Sequence, residues 1–190
     1  MKFSLETIRD AVLICIILLS NATFLILLTS CNVSHKQETN NYVLERREND
    51  QDWLKGKKVL CIDSIIEKRN KVEILYIFNY YDCESCVKRG FLTINEIDKR
   101  TSFGTVKAIA SMYQEVSSTQ RDCEYRGYIH KDTNDLLRKE LKYIPTPILL
   151  IIDDSCKIEY AHIFDTSTPD EDIKELADTY VSLFNSVRKL

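Results

Sequence analysis

The sequence is short of the residues that break or vary regular structure: its 190 residues include 4 Gly, 3 Pro, 2 Met and 1 Trp. So little Gly and Pro excludes collagen-like and Gly/Pro-rich low-complexity chains. A dominant charge is also missing, since 26 Lys+Arg face 29 Asp+Glu for a formal net charge of −3. Without a basic excess there is no electrostatic footprint for nucleic acid, and no nucleic-acid partner is expected. No internal repeat is visible, which argues against a solenoid or propeller. What remains is a 44% apolar, 29% charged composition, that of a globular chain with the length of one domain. Its 7 Cys are too few to build a disulfide scaffold of this length, so each has to be placed separately.

The first thirty residues stand apart. Lys2 and Arg9 precede an apolar run over 11–28, interrupted only by Ser20, Asn21 and Thr23. At about 1.5 Å rise per residue such a run could span a bilayer. It ends in Leu28-Thr29-Ser30-Cys31, a branched apolar residue, two small residues and a cysteine. That order resembles a bacterial lipobox, which implies that residues 1–30 are a lipoprotein signal peptide and that Cys31 is lipidated. Several acyl chains on Cys31 would give stable anchoring where one chain is marginal. Glu6 and Asp10 leave an uncleaved membrane helix as the other reading; in both the remainder is exported. Residues 31–52 are polar and charged and read as a tether, with His35 solvated in it. Residues 53–190 form the expected folded domain.

Within that domain, VEILYIFNY over Val72–Tyr80 is a continuous apolar run of strand length, as expected of a strand buried on both faces. Val87, Phe91, Ile94 and Ile97 predict a helix over 83–100, with Gly90 costing about 1 kcal/mol relative to Ala. Residues 105–112 are a second strand candidate, and Lys131–Tyr143 reads as a helix with Leu136, Leu137 and Leu141 as its apolar face. PILLIID over Pro147–Asp153 is the second strongly buried strand, and Lys157–Phe164 returns as a hairpin. Thr168, Pro169 and Glu171 read as N-cap, first helical residue and capping box of a last helix. Its apolar stripe runs from Ile173 to Val187. The order implies an α/β fold with a mixed central sheet flanked by helices.

Cys83-Glu84-Ser85-Cys86 falls where the buried strand gives way to the helix. A Cys three residues past the first lies within disulfide reach. At the helix start, unpaired N–H groups and the positive end of the dipole favour the thiolate of Cys83, the nucleophilic form. Cys86, deeper in the helix, would resolve a mixed disulfide. Asp82 and Glu84 oppose the dipole's pull and Lys88 and Arg89 offset them. The anionic neighbours favour the oxidised pair and hence a reducing direction.

With Ile144-Pro145-Thr146-Pro147 opening the ILLIID strand, the chain resembles the thioredoxin superfamily over about 57–190. With the lipobox it is similar to the TlpA-like thioredoxin-fold lipoproteins of bacterial envelopes. The resemblance implies a thioredoxin-like fold, with Cys83 and Cys86 as the redox pair and Pro147 as a cis-proline facing them. It implies Thr146 as the residue whose backbone pairs with an extended substrate segment. Partners would be envelope proteins bearing thiols or disulfides, an upstream redox partner and the membrane through the lipid anchor, with no cofactor and no metal. The chain departs from the family in three places: Asp82 replaces the usual tryptophan, Ile77 replaces a buried carboxylate, and Glu84 and Ser85 separate the cysteines.

Other readings use the same residues. The CESC pair could be half of a zinc site with Cys123 and Cys156. Copper delivery would want a different Cys spacing with a His, and His130 and His162 read as ordinary surface or core residues. It could also be a structural disulfide in a thioredoxin-fold binding module. Two of Cys61, Cys123 and Cys156 could pair in an oxidising compartment, and the sequence does not say which.

Overall fold

The computed structural model describes residues 49–79, 81–102, 104–111, 122–123, 125–166 and 173–189. The signal segment, Cys31 and the expected cap at Thr168, Pro169 and Glu171 lie outside them. Elements follow in the order Ile62–Ile65 (α1), Glu73–Phe78 (β1), Glu84–Arg100 (α2), Val106–Ser111 (β2), Ile129–Asp132 (β3), Leu136–Leu141 (α3), Ile148–Ile152 (β4), Ile158–Ile163 (β5) and Ile173–Val187 (α4).

The two continuous apolar runs occupy the middle of the sheet, whose order is β3-β2-β1-β4-β5. β1 and β4 are buried at every position because each has a strand on both sides and a layer on both faces. β2 pairs with β1 in parallel, as the crossover through α2 requires, while β4 runs antiparallel to β1 and turns into β5. This is the expected mixed sheet flanked by helices.

Alternation along β1 sorts its side chains between two cores. Ile74, Tyr76 and Phe78 join α2 and α4 in one; Leu75 and Ile77 join Leu54, Ile62, Leu137 and Leu141 in the other. Gly90 has a packing reason for its place inside α2. The Tyr76 ring lies where a side chain would stand, and its hydroxyl donates to the Val87 carbonyl at 3.0 Å. Across the helix layer, Arg100 of α2 reaches Asp178 of α4 at 2.7 Å.

One expected element differs in the structure. The region read as a helix over Lys131–Tyr143 begins instead as β3, an edge strand parallel to β2. Asp132 ends that strand and turns its carboxylate to the N–H groups of Leu136 and Leu137, at 2.8 and 2.9 Å, so the helix starts only there. The expected order therefore held one strand too few. Residues 49–54 are helical. Leu54 is fully buried, and Tyr143 donates to Asp50 at 3.2 Å, so this segment packs on the domain.

Candidate active site

The carboxyl end of β1 runs into a turn that delivers the cysteines. Asn79 and Asp82 close it reciprocally: the Asn79 N–H donates to Asp82 Oδ2 at 2.7 Å, and the Asp82 N–H donates to the Asn79 carbonyl at 3.0 Å. The Tyr81 N–H adds a bond to Asn79 Oδ1 at 3.2 Å. The chain then enters α2 with Cys83 as the residue just outside the helix, in a non-helical conformation. Its carbonyl accepts from the Cys86 and Val87 N–H groups at 3.0 and 2.9 Å, so the first helical turn closes on Cys83 itself.

This places the two thiols in different surroundings. Cys83 is exposed and Cys86 is buried one turn on. The Cys86 thiol and the Ser85 hydroxyl, which lies 3.0 Å from Cys83 Sγ, hold the Cys83 thiol below its ordinary value, with help from the Cys86 and Ser85 N–H groups. Cys86 goes the other way. Burial, then its bond to Cys83, push its thiol up to about 12, against a smaller pull from Ser85 and Arg89. Hydrogen bonds from Cys86 and Ser85 thus lead the shift at Cys83, and its direction is down. Glu84 is exposed, and the Asp82 carboxylate turns away to the turn and to Thr146.

The other described cysteines differ from Cys83 in the same sense as Cys86. Burial pushes up Cys61, Cys123 and Cys156. For Cys61 the Glu140 carboxylate adds to this; it also accepts from the Leu60 and Cys61 N–H groups, at 2.9 and 2.8 Å. Among the described cysteines, Cys83 alone combines exposure with a lowered thiol. Cys123 sits in the core under α2 and Cys156 in the opposite core, so they do not converge with the CESC pair as zinc would require. His130 and His162 stand on β3 and β5, the two opposite edges of the sheet, too far apart to serve one copper ion together.

The second sequence feature meets the first at this end of the sheet. The Thr146–Pro147 peptide is cis, and Pro147 is buried at the head of β4. The Phe164 N–H donates to the Pro147 carbonyl at 2.9 Å and fixes this loop to the end of β5. On its other side the Thr146 hydroxyl donates to Asp82 Oδ1 at 2.9 Å. Segments 64 residues apart in the chain are therefore joined by a hydrogen bond next to Cys83. A CxxC opening the helix after a central strand, joined to a cis-proline loop at the head of an antiparallel neighbour, decides the architecture.

The fold is thioredoxin-like. Neither a family model nor a curated protein matches the sequence. Among solved structures the chain is similar to StoA from Bacillus subtilis, at 18% identity over 57% of this chain and 84% of that one, TM-score 0.42. It is also similar to the thioredoxin domain of a thiol-disulfide oxidoreductase from Bacteroides vulgatus, at 8% identity over 58% and 79%, TM-score 0.42. A third is a secreted disulfide oxidoreductase of Mycobacterium tuberculosis, at 7% identity over 57% and 81%, TM-score 0.39. These likenesses are of chain arrangement.

On this thioredoxin-like frame Ser85 and Arg89 act directly on the two sulfurs. Ser85 supplies a hydroxyl to the nucleophilic sulfur, and its place between the cysteines was the available signal. Arg89 is buried, donates to the Asp165 carbonyl at 2.7 Å and lowers the Cys86 thiol by its charge. Its spacing of one helical turn from Cys86 was the signal there.

Proposed function

We propose that the protein is a thiol–disulfide oxidoreductase in which Cys83 attacks a partner disulfide and Cys86 resolves the mixed disulfide. The observation that supports it best is the contrast between the two sulfurs. The exposed one has its thiolate favoured by hydrogen bonds, and the buried one keeps its proton until a mixed disulfide forms beside it. Attack by the Cys83 thiolate on the partner's S–S bond forms a Cys83–partner disulfide and releases one partner thiolate. Attack by Cys86, whose proton passes to the departing partner thiolate, then forms the Cys83–Cys86 bond and releases the second partner sulfur as a thiol, so the partner gains the two electrons that this pair loses. The Thr146 backbone is the edge on which an extended partner segment would pair.

We assign the reducing direction to the pair. The leading pulls on Cys83 come from neutral donors rather than a cation, unlike the strongly lowered cysteine of a powerful oxidant. The partners would be thiol- or disulfide-bearing envelope proteins, with an upstream membrane reductant to recycle the pair. Anchoring through lipidated Cys31 follows from the LTSC run after the apolar segment and gives the domain an extracytoplasmic face.

Trapping tests the exchange step. The Cys86→Ala chain is expected to accumulate mixed disulfides with partner proteins in a cell envelope, and failure to trap any overturns the reading. Redox titration of the native pair tests its use. A potential near about −270 mV is expected, one well below about −300 mV marks an inert bridge, and one near about −120 mV reverses the direction.

A further inference from the structure

The family's flat apolar residue before the first cysteine is absent here, and the carboxylate in its place is fully engaged. Asp82 is half-buried and directs one oxygen to each side of the site. Oδ2 accepts the Asn79 N–H at 2.7 Å, which closes the turn carrying Cys83, and Oδ1 accepts the Thr146 hydroxyl at 2.9 Å. Hydrogen bonds to a charged group exceed neutral ones, at roughly 1.5–3 kcal/mol net. The Thr146 loop is held from its other side by the Phe164 N–H on the Pro147 carbonyl at 2.9 Å. Both attachments have to be satisfied for this loop to keep its place.

Resting on the exchange reading above, we propose that Asp82 is a positioning residue: it latches the Thr146–Pro147 loop to the turn bearing Cys83 and so sets the gap into which a partner segment docks. The latch is polar and one residue from the nucleophile, where an aromatic ring would offer only contact area. It also engages the Thr146 hydroxyl as a donor, which leaves recognition of an incoming segment to the backbone. A mispositioned docking edge weakens partner binding before it alters the chemistry at sulfur.

The test uses the full chain with insulin as the disulfide substrate and dithiothreitol as reductant. Thr146→Val and Asp82→Asn are each expected to raise KM roughly tenfold with kcat changed less than about twofold, and Thr146→Ser to restore KM because it keeps the hydroxyl. The Asp82→Asn/Thr146→Val double variant should be no worse than the poorer single one. Additive losses, a fall in kcat at constant KM, or a Thr146→Ser variant as poor as Thr146→Val overturns the latch. A native chain that does not reduce insulin overturns the exchange reading instead. In that event the same double-mutant cycle is read in urea unfolding, where no coupling between positions 82 and 146 overturns the latch without reference to activity.

Discussion

The two faces of the sheet are filled with different chemistry. The face under α2 and α4 is aromatic: Tyr76 stacks on Phe78, both meet Phe91 edge-on, and Tyr125, Phe164, Tyr180 and Phe184 also belong to the layer. The opposite face is built from Leu, Ile and Val, with Cys156 at its margin and no aromatic ring among its buried members. Rings with hydroxyls carry a polar tip that favours a partner when buried, and for Tyr76 and Tyr180 the pairing is also a tie. Tyr76 bonds the Val87 carbonyl of α2 at 3.0 Å, and Tyr180 of α4 bonds the Leu149 carbonyl of β4 at 3.1 Å. The aromatic face thus fixes the helix that bears the cysteines. The aliphatic face holds the short helices by packing, which is stabilising but non-directional, and the polar ties on that side go to helix ends, from Asp132 to the N–H groups of Leu136 and Leu137 and from Glu140 to those of Leu60 and Cys61.

The strongest way to break this contrast is Gly90→Ala. On an exposed helix surface that change would stabilise by up to about 1 kcal/mol. Here the new methyl group would collide with the Tyr76 ring, which is fully buried and pinned through its hydroxyl and so has nowhere to move. Overpacking of this kind is expected to cost about 2–3 kcal/mol, read as a lower urea midpoint. A more stable variant would show that the ring is not fixed. Because Gly90 lies one turn beyond Cys86, a displaced α2 should also slow mixed-disulfide formation.

Next in size is the hydroxyl itself. Tyr76→Phe keeps the ring and its stacking and leaves the Val87 carbonyl without its side-chain donor, an expected loss of about 1–2 kcal/mol in the same urea measurement. If the loss is nil, the tie from β1 to α2 is packing alone and the two faces do not differ in kind.

The sequence made visible what depends on its neighbours in the chain and concealed what depends on distant ones. β1 and β4 were legible because burial on both faces forces an unbroken apolar run, and CESC because a strand-to-helix junction brackets it. β3 was not, since IHKD is a four-residue edge strand whose pairing with β2 leaves its own sequence polar. Residues 49–52 looked like tether for the same reason: one buried residue, Leu54, brings a polar segment down onto the domain. In the site, Asp82 was noticed for its charge, yet what that charge does is set by Thr146, 64 residues away. From the sequence, the helix start favours the Cys83 thiolate and the charges of Asp82 and Glu84 oppose it. Hydrogen bonds from Cys86 and Ser85, which no charge count supplies, lead the shift.

The smallest effect separates the nucleophile from both cores. Cys83 is exposed at the end of the sheet, and two of the influences that lower its thiol come from Ser85. Removing that hydroxyl in Ser85→Ala takes a donor from the thiolate and leaves the neutral thiol little affected. The thiol pKa should therefore rise, by less than about one pH unit if the bond contributes about 1 kcal/mol. In iodoacetamide alkylation followed against pH, the midpoint for Cys83 moves up and the rate near neutrality falls a few-fold, because less thiolate is present below the midpoint. Tyr76→Phe, which alters the aromatic core, should leave that midpoint where it is. If the core variant moves the midpoint and Ser85→Ala does not, the reactivity of Cys83 belongs to the fold of the aromatic face rather than to the first turn of α2.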